Sequence, residues 1–332
     1  MTDLSTVFAG LRLKNPIIIG SSGLSDSVES IAELERAGAA AIVLKSLFEE
    51  EILRDLNASM KRMSSEGFLY PETVDFYEDV DVPNESTFNY LEVIKNAKKT
   101  VSIPVIASIN CITASQWTYF PQQIQQAGAD AIELNIFVLP SDFTRTAEEN
   151  EKVYFDIIQE VKKQVSIPII VKLSSYFSNL ASFLQKISNS GINGLVLFNR
   201  FYNPDIDIES LEFTSGAVLS TPSDLYNSLR WVGILSGRLG CSLAASTGVH
   251  DGSSLIKMIL TGANAVEIAS TVYVNGYDQI QIMLDELESW MVGKKMTSIE
   301  SFRGMLSQSQ TMNPAAYERV QFMKYFRGFR NI

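Results

Sequence analysis

The apolar positions of this chain fall into two recurring patterns. In AGAAAIVLK (37–45), AGADAIELN (127–135), SGINGLVLFN (190–199) and TGANAVEIAS (261–270), a small residue and a glycine lead through a short link into an apolar run that ends on a polar residue. Glycine suits the end of a preceding helix because it tolerates the left-handed backbone there. The runs lack polar alternation, which predicts strands buried on both faces, as parallel strands are. The second pattern appears in SIPVIASIN (102–110) and SIPIIVKLS (166–174), which are near copies, and again in KNPIIIGSS (14–22) and CSLAASTGV (241–249). A proline at a strand start is tolerated because its missing N–H falls outside the ladder.

Interleaving the two patterns predicts eight strands, at 16–20, 40–45, 104–108, 131–135, 168–173, 194–198, 242–246 and 265–268. Apolar spacings of three and four, each opened by a plausible cap or helix former, predict helices at 27–37, 86–99, 115–127, 148–164, 179–190, 222–236, 253–261 and 279–292. Strand and helix repeated eight times predict an α/β protein with a (β/α)8 TIM barrel, one domain over 1–332, with a doubly wound open sheet as the alternative. Insertions follow strand two (47–85, acidic and rich in Met, Tyr and Phe) and strand six (200–221). Both leave from strand C-terminal ends, where a barrel builds its active site, so they are expected to serve as lids or pocket walls. A subunit contact is the equal alternative for 47–85. The tail, 298–332, is expected to pack on the barrel or on a second subunit and to end in a basic, aromatic helix.

Composition narrows the function classes. The formal net charge of −11 argues against nucleic acid and anionic membranes as partners. A single histidine excludes a His-rich metal centre, and no metal is expected. Two cysteines cannot build a disulfide framework and suit a reducing compartment. The first residues show no basic region followed by an apolar run, and no apolar stretch reaches the ~20 residues of a spanning helix. A cytoplasmic protein is expected.

The predicted strand ends are rich in hydroxyl, amide and ammonium groups, with Glu133 their single carboxylate. Paired-carboxylate hydrolysis and divalent-metal chemistry are therefore poorly supported. After strands seven and eight, STGVHDGSS (246–254) and EIASTV (267–272) offer small residues whose backbone N–H groups suit a phosphate, with a helix starting near Gly252; tight βα turns are the plainer reading. Lys45 and Lys172 end strands at the same mouth. Such a lysine can place positive charge beside a flavin's N1/O2 edge, form an imine when its pKa is depressed, or be bound in a salt bridge to Glu133 or a loop carboxylate. Asn110, Asn135 and Asn199 suit a planar ligand with alternating N–H and C=O groups. His250 and Cys241 are expected to be structural, and Cys111 a small buried hydrophobe near the site.

These stretches carry a family resemblance. LKNPIIIGSSG (13–23), AIVLKS (41–46), AIELN (131–135), IIVKLS (169–174), LFN (197–199) and above all STGVHDGSSLIKMILTGANAVEIAST (246–271) make the chain similar, over nearly all its length, to the dihydroorotate dehydrogenases, specifically their soluble class 1 branch. The resemblance implies FMN as cofactor. Ser21, Ser22 and Gly23 would border the ring and ribityl chain, with Lys45 and Ser46 beside the flavin. Asn135, Asn199 and Lys172 would contact it, Lys172 near N1/O2, and Gly216 would approach the ribityl side. Gly248, Val249, Ala269 and Ser270 would hold the phosphate through backbone amides. Lys45, Asn110, Asn135 and Asn199 would face a pyrimidine substrate. The implied reaction oxidises dihydroorotate to orotate, with hydride passing from C6 to the flavin and a base taking the C5 proton. Electrons would leave to a soluble acceptor, and a homodimer is implied.

One departure matters. The family's soluble members carry a proton-accepting Cys in the loop after strand four, where this chain reads Asn135-Ile136-Phe137-Val138-Leu139-Pro140, with Val138 at the Cys position. Valine takes no proton, which leaves Ser141 as the candidate catalytic residue beside Lys172, with Asp142 and Cys111 as substitutes. The family's Asn-rich substrate loop is not recognisable in 60–84. Two other readings therefore stand: an FMN oxidoreductase for a different cyclic amide or carbonyl, and a non-redox, lysine-dependent phosphate-sugar lyase using Lys172 or Lys45.

Overall fold

A computed structural model describes residues 2–55, 86–113, 119–200 and 203–318. The chain opens with an antiparallel hairpin, β1 (Thr6–Phe8) and β2 (Leu11–Leu13). Eight strands then form the barrel: β3 (Ile17–Ile19), β4 (Ala41–Val43), β6 (Val105–Cys111), β7 (Ala131–Ile136), β8 (Ile169–Leu173), β9 (Gly194–Leu197), β12 (Ser242–Ser246) and β13 (Ala265–Ile268). Each is parallel to its neighbours, and the ring closes because β13 pairs with β3 and β4 with β6. That closure excludes the open doubly wound sheet. Between the strands lie α1 (Val28–Arg36), α2 (Ser86–Thr100), α3 (Phe120–Ala127), α4 (Ala147–Lys162), α5 (Leu180–Ser188), α6 (Leu225–Leu235), α7 (Gly252–Thr261), α8 (Ser270–Asn275) and α9 (Asp278–Gly293).

The repeated motif has a structural cause. Its polar link residue ties down the start of a neighbouring strand: Asp130, Asn193 and Asn264 accept the backbone N–H of Val105, Ile169 and Leu243 at 2.7, 3.0 and 3.0 Å. The strand-start N–H is thus satisfied where the ladder has not yet begun. The glycines of the motif, Gly38, Gly128, Gly191 and Gly262, all have positive φ at helix ends, as their spacing predicts.

Several elements were not predicted. β5 (Leu47–Phe48) extends the sheet beside the end of β6, and residues 49–55 are helical. The insertion after strand six carries an exposed antiparallel hairpin, β10 (Pro204–Asp207) and β11 (Glu212–Ser215). A short helix, α8, begins immediately after strand β13. The rest of the 47–85 insertion, the first residues of the helix predicted at 115–127, and the aromatic end of the tail lie outside the described residues. Residues 298–318 lie on the barrel: Phe302 is buried edge-on against Trp290, and Leu306 N–H bonds to the Leu260 carbonyl.

The lower half of the barrel is apolar. Phe8, Ala9 and Leu13 of the hairpin pack with the inward residues Ile18, Ala41, Val43, Ile106, Ala131, Ile170, Val196, Ala244 and Ala265. Phe8 occupies the space a side chain at position 194 would need, since a Cβ on Gly194 would lie 2.9 Å from its ring. The hairpin therefore seals the N-terminal end, and only the C-terminal mouth admits a ligand to the barrel interior. Phe8→Ala empties this plug; chemical denaturation is expected to show a loss of about 3–5 kcal/mol.

Candidate active site

Inward-facing residues alternate along each strand. One step above the apolar plug, the inward positions turn polar: Ser108 on β6, Glu133 on β7, Lys172 on β8 and Glu267 on β13. Two residues further on come Asn110, Asn135, Ser174 and Ala269, at the rim. The barrel is thus a cup with an apolar base, a charged floor and a polar rim.

The floor is a three-residue charge cluster. Lys172 Nζ lies 2.7 Å from Glu267 Oε2 and 3.8 Å from Glu133 Oε1. These side chains come from three strands, and Lys172 reaches across the barrel to meet Glu267. All three are buried: Lys172 is 7% exposed, Glu267 2% and Glu133 0%. Burial alone lowers the lysine's pKa, but the charges of Glu133 and Glu267, with the hydrogen bond to Glu267, outweigh it and hold the ammonium above its ordinary value. Glu133 moves the other way from a typical carboxylate. Burial and the neighbouring charge of Glu267 push it well above its usual range, against the pull of Lys172. Both carboxylates thus favour the ammonium form of Lys172, whereas imine formation needs the neutral amine.

Hydroxyl groups connect this floor to the rim. Ser21 and Ser46 hydroxyls are 2.9 Å apart, Ser46 and Ser108 hydroxyls 2.8 Å, and Ser108 donates to Glu133 Oε1 at 3.5 Å. The Tyr90 hydroxyl of α2 fixes Ser108 from outside, accepting its N–H at 2.7 Å and donating to its carbonyl at 3.0 Å. At the rim, Asn199 Nδ2 donates to Asn135 Oδ1 at 2.7 Å, joining two of the predicted amides, and Asn110 lies beside Asn135 in the ladder. Glu49, buried at the base of the first insertion, accepts the backbone N–H groups of Ile112 and Thr113 and the Thr113 hydroxyl. It thereby ties that insertion to the loop after β6.

On the opposite side of the rim, Gly248 takes φ +80°, and a Cβ there would lie 2.1 Å from the Leu225 nitrogen, so glycine is required. Thr247 before it is held at φ +76°, a strained position for a β-branched residue, with its hydroxyl on the Phe198 carbonyl. The insertion after strand six folds back on this turn through Ser220. The Ser220 hydroxyl accepts the Gly248 N–H at 3.4 Å and lies 3.2 Å from His250 Nε2, while its own N–H donates to the Ser270 hydroxyl at 2.9 Å. One expectation is corrected here. The N-terminus of α7 is already filled by carboxylates, Asp251 accepting from Ser254 N–H and Glu286 from Gly252 N–H, each at 2.6 Å. A phosphate gains nothing at that helix end; the backbone to consider for it is that of 248–249 and 269–270, where the Gly248 N–H already has the Ser220 hydroxyl as a long partner.

The remaining predicted residues are less convergent. Ser22 caps a short turn that follows, and Gly23 faces the Tyr273 hydroxyl. Lys45 is exposed and forms no ion pair among the described residues, unlike Lys172. Ser141 stands on the exposed loop after β7, whereas Val138 packs against the core. Gly216 closes the β10–β11 hairpin, its N–H on the Asn203 carbonyl. Cys111 points outward into the core with its thiol pushed well up by burial and by Glu49, so it is no proton acceptor for the mouth. Burial raises Cys241 to about 12. Sequence reasoning missed Glu267, because strand eight was read only at its end; the alternation through Ala265, Glu267 and Ala269 holds the signal. It also missed Ser220, which no local motif announces. A separate cavity of about 450 Å³ opens at the opposite, N-terminal end, near Gly10, Asn193 and Arg303, away from these groups.

Comparison with known proteins follows this geometry. A family model described as dihydroorotate dehydrogenase matches residues 3–291. The dihydroorotate dehydrogenase B (NAD(+)) catalytic subunit of Thermoplasma acidophilum is 26% identical over 313 residues, covering 92% of this chain and 99% of that protein. Its counterpart in Thermoplasma volcanium is 28% identical over 314 residues, with 92% and 99% covered. The one from Methanocaldococcus jannaschii is 25% identical over 313 residues, with 91% and 97% covered.

The raised pKa of Glu133 makes a signed prediction. The folded state binds a proton that the unfolded state releases as pH rises past 4.5, so this group's stabilisation is full below that value and is lost as pH climbs towards its folded pKa. Glu133→Gln has no such proton to lose. Thermal melts across pH are expected to show the variant gaining on the wild type as the solution becomes more alkaline; a pH-independent difference would contradict this.

Proposed function

The chain belongs to the dihydroorotate dehydrogenase family, and on that premise we propose that it is an FMN-dependent oxidoreductase that oxidises dihydroorotate to orotate. The observation that carries this reading is the buried ammonium of Lys172 at the floor of a mouth otherwise lined by amides and hydroxyls. The donor set suits FMN. Backbone N–H groups around Gly248 and Ser270 suit a phosphate, with the neighbouring carboxylates Asp251 and Glu286 occupied elsewhere. When bound, FMN supplies a two-electron acceptor of hydride at N5.

The chain's own residues supply the rest. Lys172 presents an ammonium hydrogen-bond donor where negative charge develops, a favourable arrangement in a site shielded from water. Asn135 and Asn199 offer a carbonyl and an amide N–H to the edge of a planar ring, and Asn110 lies beside them. Ser21, Ser22, Gly23, Lys45, Ser46 and Gly216 complete the cofactor's surroundings in this reading, with Val249 and Ala269 adding phosphate-side amides. The proton at C5 is the weak point: Val138 accepts none, and Ser141 reaches it only if its loop folds inward. General-base assistance is typically worth ~10²–10⁴-fold, so oxidation of dihydroorotate is slow by that factor.

The same valine favours a second reading, an FMN oxidoreductase whose substrate is another cyclic amide or carbonyl that needs no proton removed at that position. The curated relatives are catalytic subunits of an NAD(+)-type enzyme. A partner subunit receiving the electrons, alongside a homodimeric arrangement of this chain, belongs to the proposal. Among the described residues no helix is long and apolar enough to cross a membrane, and a cytoplasmic location is part of the same reading.

Two measurements test it. The purified protein is expected to be yellow with bound FMN; a folded protein that stays colourless after incubation with excess FMN overturns the cofactor. In anaerobic stopped-flow mixing, dihydroorotate is expected to bleach the flavin slowly, and Val138→Cys to accelerate bleaching by ~10²-fold or more. Flavin that stays oxidised in both proteins rejects this substrate and leaves the second reading.

A further inference from the structure

Two carboxylates and one ammonium meet on the barrel floor, and their hydrogen bonds do not balance if both carboxylates are ionised. Glu133 Oε2 and Glu267 Oε1 are both fully buried, and neither has a donor. Yet the two side chains converge on the same Lys172 Nζ, Glu267 Oε2 at 2.7 Å and Glu133 Oε1 at 3.8 Å, which sets the two carboxylates side by side. Two ionised carboxylates are acceptors only and cannot bond to one another. One proton placed between them resolves both defects: it makes one oxygen a donor to the other and removes a like-charge repulsion in a dry interior. The charged and titratable groups facing this pair are Lys172 from β8 and Tyr90 from α2, with the neutral Ser108 hydroxyl from β6.

We propose that Glu133 and Glu267 share a single proton beneath Lys172, so that the floor of the mouth carries no net charge and either carboxylate alone is enough to balance the ammonium. Lys172 then offers a bound group a strong hydrogen-bond donor whose charge is cancelled from below. The Ser108–Ser46–Ser21 hydroxyls give the shared proton a path to the rim. The first half of this inference concerns the protein alone. The second half, the electron affinity of a flavin resting on this floor, rests on the FMN reading above.

The test has one readout that needs no cofactor. The infrared spectrum of the ligand-free protein is expected to contain the carbonyl band of a protonated carboxylic acid that survives well above the ordinary glutamate range. The band shifts when glutamate is ¹³C-labelled, which assigns it without any variant. In Glu133→Gln and in Glu267→Gln the band is expected to disappear, because the remaining carboxylate ionises against Lys172. A wild-type spectrum without the band overturns the shared proton. The second readout is the two-electron midpoint potential of bound FMN. In both single variants it is expected to stay within a tenfold change in relative affinity for oxidised and reduced flavin, about 30 mV. A larger positive shift in each variant means that both carboxylates were ionised, which overturns the neutral floor. Protein that binds no FMN rejects the cofactor reading, while the infrared band still decides the proton.

Discussion

The ion pair between Lys172 and Glu267 spans the inside of the barrel, and most of the site is arranged around it. A buried ammonium is tolerable only when its charge is balanced and its donors are used, and removing one partner of such a pair typically costs about 3–5 kcal/mol. The pair joins β8 to β13, strands with β9 and β12 between them in the ring. It also fixes the depth of the mouth. Below it the inward positions are apolar and filled by Phe8; above it they are amides and hydroxyls open to a ligand. Glu133 completes the arrangement by linking the pair to the serine hydroxyls on the neighbouring strands.

Most of the barrel was legible in the chain because its repeats are physical devices. Proline marks a strand start where no ladder bond is lost, glycine ends a helix, and an Asp or Asn in the link caps an N–H at the start of the preceding strand. Strands β12 and β13 fall on the predicted residues, and β3 differs by one residue at each end. What escaped the sequence was of a different kind. Helix α8 is six residues long and has no side-chain cap, so it left no periodic trace. The β10–β11 hairpin is exposed on every residue and lacks the buried face that makes a strand readable.

The candidate site was legible residue by residue but not as a set. The asparagines and lysines were visible at strand ends, yet the sequence treats Lys45 and Lys172 alike. The structure separates them completely: one lies in solvent, the other under two carboxylates. That difference arises from Glu267, over ninety residues away in the chain. The phosphate side shows the same lesson. A helix start near Gly252 looked like an anion site, and only the fold reveals that Glu286, from α9, already fills it.

The hairpin at the base of the barrel has a consequence for entry and exit. With Phe8 and Leu13 closing one end, the interior is a blind well rather than a pipe. Anything larger than a proton that enters must leave by the way it came. Whatever binds over the floor and whatever is released from it therefore share that one opening, and the buried side of a bound group faces protein rather than solvent.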